Sequence, residues 1–319
     1  MKATSYAISK RCMALLLLWW ALGAGRAQAQ DPRLPPTNLG ITNLQDGNAP
    51  APGWYYMQYI QLYHASHAKD AHGESISDAA ETSSLLAMQQ VVFISRKRVA
   101  GGNLGFTLIV PLASIGVRTA AGQALTSNPS PLGDVVARPL VQWFHKRLFG
   151  LRYAHRLEVD LGIPTGAYKA QYAINPGSLA FRVFPHYTFT LSASKKLAFS
   201  MRHHLTYYFN ELNTAQKPGL TYNFNYSAEY SLTPAFTVEL AGYSLTQLGQ
   251  DSNHGNADYY QQAYGISDTR ERVFAYGLGL GFLTPTGLFV ELKGMAETAA
   301  KNRSEGFRTT LVLSYKIDK

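Results

Sequence analysis

Residues 197–209 read Leu197-Ala-Phe-Ser-Met-Arg-His-His-Leu-Thr-Tyr-Tyr-Phe209, and residues 220–231 read Leu220-Thr-Tyr-Asn-Phe-Asn-Tyr-Ser-Ala-Glu-Tyr-Ser231. In the first run Leu197, Phe199, Met201, Leu205 and Tyr207 alternate with Ser200, Arg202, His204 and Thr206. In the second, Leu220, Tyr222, Phe224 and Tyr226 alternate with Thr221, Asn223, Asn225 and Ser227. A period of two belongs to an extended strand with one apolar and one polar face. Strands of soluble sandwiches commonly run about five or six residues. These run roughly twice as long, the length a tilted strand needs to cross a bilayer. The pair reads as one hairpin of a transmembrane barrel.

Outward from this hairpin the alternation recurs at residues 54–64, 85–96, 104–115, 134–144, 151–161 and 179–191 before it. After it come 236–247, 271–282, 288–299 and 307–318. The total is roughly twelve strands, an even number as bacterial barrels have. Connections are long after the first, third, fifth and ninth strands and short after the second, fourth, sixth, eighth and tenth. Long outer loops with short periplasmic turns are the outer-membrane pattern, and it puts both ends of the barrel in the periplasm. A soluble sandwich has no reason to alternate its loops this way. The fold class is therefore all-β, an antiparallel transmembrane barrel.

The chain starts with Lys2, Lys10 and Arg11 ahead of an apolar run at 13–22, then the small-residue site Ala27-Gln-Ala29. Residues 1–29 read as a secretory signal peptide, cleaved before Gln30; the run is too short for a membrane anchor. Cys12 is the single cysteine and leaves with it, so the mature chain offers no disulfide, thiol nucleophile or cysteine ligand. Processing removes Lys2, Lys10, Arg11 and Arg26 and no acid, taking the formal charge from +9 to 9 − 4 = +5. No block of like charge marks a nucleic-acid partner. The 46% hydrophobic content, with 20 Tyr and 15 Phe, suits a barrel wall with aromatic girdles. Residues 30–53 are rich in Pro, Gly and Asn and form neither strand nor helix. They read as a periplasmic arm, the commoner case, or as a plug folded into the barrel of residues 54–319. The glycines of Phe274-Ala-Tyr-Gly-Leu-Gly-Leu-Gly-Phe282 signal a close approach by a neighbouring side chain or a plug.

Several stretches carry a family resemblance: Asp46-Gly-Asn-Ala-Pro-Ala-Pro-Gly53, Gly133-Asp134 with Pro139 and Trp143, and Ile163-Pro-Thr-Gly166. Gly242-Tyr243 with Gln247, and Lys301-Asn-Arg-Ser-Glu-Gly306, extend it over the mature chain. In these the chain resembles the meta-pathway phenol degradation family of outer-membrane proteins. The resemblance implies a channel-like barrel associated with catabolism of aromatic or other hydrophobic compounds, and it supplies no catalytic or binding residues. In one respect the chain departs from such barrels, which commonly finish on an aromatic residue: it runs past Tyr315 to Lys316-Ile-Asp-Lys319.

The polar faces hold Arg138, Arg152, Arg156, Glu158, Asp160, Arg182, His186, Arg202, His204, Tyr208, Asn223, Glu229, Glu291 and Lys293, with Glu239 beside them. Charge facing lipid costs about 2–4 kcal/mol at midplane, so these are expected to line the lumen. They form either a ladder of structural ion pairs or a pathway whose positive side attracts carboxylate-bearing solutes. His155 and His203 fall on the apolar faces, where lipid is expected. His64, His67 and His72, with Asp70, Glu74 and Asp78, match no strong metal motif. Asp251-Ser-Asn-His254 has the residue types of a lipid hydrolase, but in a Gly/Asn-rich loop and without G-x-S-x-G.

The expectation is an outer-membrane channel of a Gram-negative cell for small organic, hydrophobic or aromatic solutes, with no cofactor, metal or catalytic residue. Its partners would be outer-membrane lipids, the solute and the barrel-assembly machinery, with the oligomeric state open. A structural or surface-interaction barrel, and an outer-membrane lipid hydrolase, are the competing readings.

Overall fold

The structure, a computed structural model, describes residues 39–41, 44–48, 51–76, 81–119, 121–212 and 214–317. The signal peptide and the start of the arm fall outside these residues. Twelve strands close into one antiparallel barrel. In chain order they begin with β1 (Gly53–Lys69), β2 (Glu81–Val99), β3 (Gly102–Arg118), β4 (Val136–Leu148), β5 (Leu151–Gly162), β6 (Arg182–Ser192) and β7 (Leu197–Tyr208). They continue with β9 (Thr221–Ser231), β10 (Phe236–Gln247), β12 (Arg272–Leu283), β13 (Phe289–Lys301) and β14 (Arg303–Lys316). Two short outer strands, β8 (Gln216–Lys217) and β11 (Ser252–Asn253), pair with each other across the loops, and a single short helix, α1 (Tyr259–Tyr264), follows β11 among the described residues.

Each strand pairs with its neighbour in sequence, and β1 closes the barrel on β14 from Tyr55↔Lys316 to Lys69↔Arg303. Closure satisfies the backbone of every strand, which is what lets β-structure cross a membrane. The opening hairpin is β7 with β9, in register Leu197↔Tyr230, Arg202↔Asn225 and Thr206↔Thr221. Its apolar face turns outward, with Leu205 exposed, and Tyr187, Leu240, Leu278 and Leu292 of the surrounding wall are likewise exposed. No helix among the described residues is long and apolar enough to cross a membrane.

The structure differs from the sequence reading at strand ends. The first hairpin runs well beyond 54–64 and 85–96: past a bulge between His64 and His67, residues His67, Ala68 and Lys69 keep pairing with β14. Polarity ends the membrane-facing part of a strand, not its hydrogen-bond ladder. The last hairpin is tighter than the Lys301–Gly306 stretch suggests: Asn302 alone, at φ 53°, joins β13 to β14.

Candidate functional site: the barrel lumen

The wall from β4 to β7 carries a continuous charged network on its inner face. Direct register puts Glu158 opposite His186 and Arg156 opposite Thr188, so alternate residues of four strands converge inside. Arg138 Nη2 donates to Asp160 Oδ2 at 2.8 Å, its Nε reaches the same carboxylate, and its Nη1 lies 3.4 Å from Glu158. Arg156 Nε lies 2.9 Å from Glu158 Oε2, and His186 Nε2 lies 3.0 Å from Asp160 Oδ2. His186 and His204 meet Nδ1 to Nδ1 at 2.9 Å, and Arg182 donates to Asp134 at 3.1 Å. Buried charges survive only when paired and hydrogen-bonded, and these are.

Across the lumen, Glu229, Glu239, Glu291 and Lys293 are buried on β9, β10 and β13, with Lys293 Nζ 2.5 Å from Glu291 Oε1. Nearer the outer end, Glu297 accepts from the hydroxyls of Tyr63 (2.7 Å) and Tyr243 (2.6 Å). Arg303 and Arg308 each approach that carboxylate to 3.7 Å. Arg308 also donates to Gln61 at 2.6 Å and lies over the Tyr63 ring.

A third part of the inner surface is apolar. Tyr59, Leu86, Met88, Ile109, Val136, Phe184 and Val312 form one buried cluster, largely on β1 to β4. The cluster includes Ile41, which belongs to the segment ahead of the barrel. Leu39 enters a second cluster with Tyr243, Val273 and Met295.

The segment, at residues 39–41 and 44–48, thus stands inside the lumen and is bound by both polar walls. Its backbone N–H groups face acceptors: Gly40 to Asn225 Oδ1 (2.9 Å), Leu44 to Glu291 (3.1 Å), Gln45 to Glu229 (2.9 Å) and Gly47 to Thr190 Oγ1 (2.9 Å). Its carboxylate, Asp46, faces the basic wall. Oδ1 accepts from Arg202 Nη2 at 2.9 Å and Arg156 Nη2 at 3.1 Å, and the Asp46 carbonyl accepts from Arg156 Nη1 at 3.0 Å. Gln142 and Gln61 donate to the carbonyls of Gly47 and Leu39. Of the two positions left open by the sequence, the described residues of the arm take the interior one. The β12 glycines divide between both causes of close approach: a Cβ on Gly279 would meet the Glu239 side chain, and one on Gly281 would meet Leu44.

The family described as "Putative MetA-pathway of phenol degradation" matches residues 65–313. The chain belongs to this family. It is similar in fold to an outer membrane channel from Pseudomonas putida F1, with a TM-score of 0.69 and 13% identity over 88% of this chain and 99% of that one. A monoaromatic hydrocarbon channel, CymD, gives a TM-score of 0.46 and 8% identity over 92% of this chain and 98% of that one. No curated protein matches the chain. The short stretches by which the chain resembles the family are tertiary contact points. Gly166 N donates to Asp134 Oδ1 at 2.9 Å, so Gly133-Asp134 and Ile163-Pro-Thr-Gly166 tie two outer loops together. Asp46-Gly47 is the arm's seat on the lumen wall.

Of the residues expected to line the lumen, Arg138, Arg156, Glu158, Asp160, Arg182, His186, Arg202, His204, Asn223, Glu229, Glu291 and Lys293 lie on inner faces, buried or nearly so. Tyr208 is half-buried at the outer end of β7. Arg152 is on the same face of β5 but exposed at the short-turn mouth. There it lines a cleft of about 150 Å³ with Lys195, Lys196, Thr190, Gln45 and Asn48. The sequence reading missed Asp46 and the apolar inner cluster. The signal for the cluster was present: β2 reads Leu85-Leu-Ala-Met88, apolar on both faces, as a strand does when its inner face also has an apolar neighbour.

The two histidines on the lipid side sit in aromatic surroundings with tyrosine partners. His203 Nδ1 is 2.7 Å from Tyr222 Oη and its ring lies 4.8 Å from Phe224. His155 stacks on Trp143 at 4.7 Å, with Tyr187 Oη 3.3 Å from its Nδ1. A neutral imidazole that shares its polar atom with a phenol presents mostly ring to lipid. In the first outer loop the Asp70 carboxylate accepts the backbone N–H groups of His72 and Glu74, which hold it below the usual carboxylate range. Among the described residues no group of His, Cys, Asp and Glu is arranged to hold a metal. In the outer loop 248–271, Asp251 accepts from Gly219 N and Gln247 Nε2, and the Ser252 and Asn253 backbones pair with β8.

Proposed function

We propose that this chain is an outer-membrane channel that admits small organic, aromatic or otherwise hydrophobic solutes to the periplasm. One observation carries the reading. Between the polar walls the barrel holds residues 39–41 and 44–48, a peptide bound by hydrogen bonds and packing rather than part of any strand. A barrel whose role is purely structural needs no removable filling. Withdrawing this segment would leave a lumen with a basic wall, an acidic wall and an apolar patch, suited to solutes with a ring and a polar group. The family's description, and the fold shared with the Pseudomonas putida F1 outer membrane channel, agree with this reading.

Liposome swelling tests the reading. Phenol-sized solutes are expected to enter vesicles carrying the protein, and to enter faster when residues 30–48 are deleted. A folded barrel that passes no solute with or without those residues would refute the channel reading.

A further inference from the structure

The geometry points to Arg156 and Arg202 as a binding site for the carboxylate group of the transported solute, with Asp46 as its resident occupant. This rests on the channel reading and names the solute class: organic acids, for which an aromatic carboxylate is the natural probe. Asp46 occupies the two guanidinium groups as a small carboxylate would, with one oxygen held by both at 2.9 and 3.1 Å. Planar guanidinium groups converging on one carboxylate are the arrangement by which arginine recognises such anions.

Charge balance supports the assignment. Arg138, Arg156 and Arg202 face Glu158 and Asp160 on this wall, which leaves one positive charge that Asp46 cancels. Among the described residues, Asp46 is the carboxylate that ion-pairs with Arg202. Once Asp46 leaves, Arg202 is a buried cation with a donor to offer, and its Nε already has no acceptor. An incoming carboxylate restores the pairing; a neutral isostere does not. The site also has an approach of matching sign. Below it, the short-turn mouth exposes Arg152, Lys195 and Lys196 around Gln45 and Asn48 of the same segment. Anions leaving Arg156 and Arg202 toward the periplasm would meet positive side chains. The opposite wall, with Glu229, Glu239 and Glu291 beside Lys293, is where the Leu44 and Gln45 N–H groups bind, so it offers a solute carboxylate mainly acceptors, whereas the arginines offer donors.

The test compares benzoate with benzamide, its neutral isostere, on an Ile41→Cys variant in vesicles. Ile41 is buried, so a small water-soluble thiol reagent labels it slowly while the segment is seated. Benzoate at millimolar concentration is expected to raise the labelling rate at least threefold, and benzamide to leave it unchanged. Adding Asp46→Asn should raise the rate without solute and remove the benzoate response. Arg202→Gln, which removes the other half of that ion pair, should likewise raise the rate without solute and remove the benzoate response. Equal effects of benzoate and benzamide, or no effect of benzoate on labelling while benzoate crosses the membrane, would overturn the assignment and leave the channel reading standing. Absence of flux for every solute would sink the channel reading instead. Should Asp46→Asn fail to fold, the benzoate and benzamide comparison with native Asp46 still decides the matter.

Discussion

Gly47→Val isolates the seat of the internal segment from its charge. Gly47 lies so close to β6 that a Cβ would collide with the backbone of Phe189 and Thr190, which the barrel ladder holds in place. The residue also donates to Thr190 Oγ1 at 2.9 Å and accepts from Gln142 Nε2 at 2.9 Å. Overpacking of this kind costs about 1–3 kcal/mol, and each of the two hydrogen bonds about 0.5–1.5 kcal/mol. Together they weaken the seating by about 2–6 kcal/mol, so the ratio of unseated to seated segment rises at least about thirtyfold at 1.4 kcal/mol per decade. The barrel wall is untouched, since Gly47 belongs to no strand. In planar bilayers the variant should show a higher open probability than the native chain, with the same heat-modifiability on gels. A folded Gly47→Val barrel with native open probability would refute the idea that this seat closes the lumen.

Two further outcomes follow from the wall and the loops. Tyr222→Phe removes the hydroxyl 2.7 Å from His203 Nδ1 and leaves a polar atom facing lipid; it should cost about 1–3 kcal/mol in a urea unfolding series, whereas the double change with His203→Phe should recover most of that loss, and no recovery would count against the pairing. Glu271, in the outer loop just before β12, is pushed up to about 7 by burial even though Arg303 lies 3.1 Å away. Its native pKa exceeds the unfolded one, so the native state keeps a proton that the unfolded chain releases between about pH 4.5 and 7. Stability from this group is thus greatest in acid and falls across that window. Glu271→Gln should flatten the slope, and an unchanged slope in melts from about pH 5 to 8 would dispose of the assignment.

The fold was legible because a half-buried strand writes its two faces into alternate residues, and β6, β7, β9 and β14 do so plainly. The inward charges followed from the same rule: Arg138, Glu158 and Arg202 could not face lipid. Two things were not legible. The polar-inside rule fails on β1 to β3, where Tyr59, Leu86 and Ile109 face inward in one cluster with Ile41, because the lumen there holds an apolar residue of the chain's own segment. Period-two reasoning also says nothing about a segment with no period. The Pro, Gly and Asn content of residues 30–53 argues against a regular strand or helix, and leaves open where they go. Asp46 became a site residue only once Arg156 and Arg202 were seen around it. The β12 glycines came nearest to disclosing it, since a plug was one of the two neighbours they allowed.

The charged wall is hard to justify as a device for stability. Replacing buried ion pairs by packed apolar groups is often neutral or stabilising, and the strand ladder already holds the barrel together. What an apolar replacement could not do is exchange its contents. If Arg138, Arg156, Arg202 and Glu229 were leucines, withdrawing the segment would leave a dry, apolar space that water enters only at a cost, a gate closed by dewetting. With charged walls, water and a solute carboxylate can take over the hydrogen bonds that Asp46 and the backbone of residues 40–47 make. The filled and the emptied lumen then differ by a modest free energy. A wall that binds its plug through groups a solvated solute can also satisfy is therefore what reversible passage requires, and it accounts for arginines and glutamates at positions where leucines would hold the barrel as well.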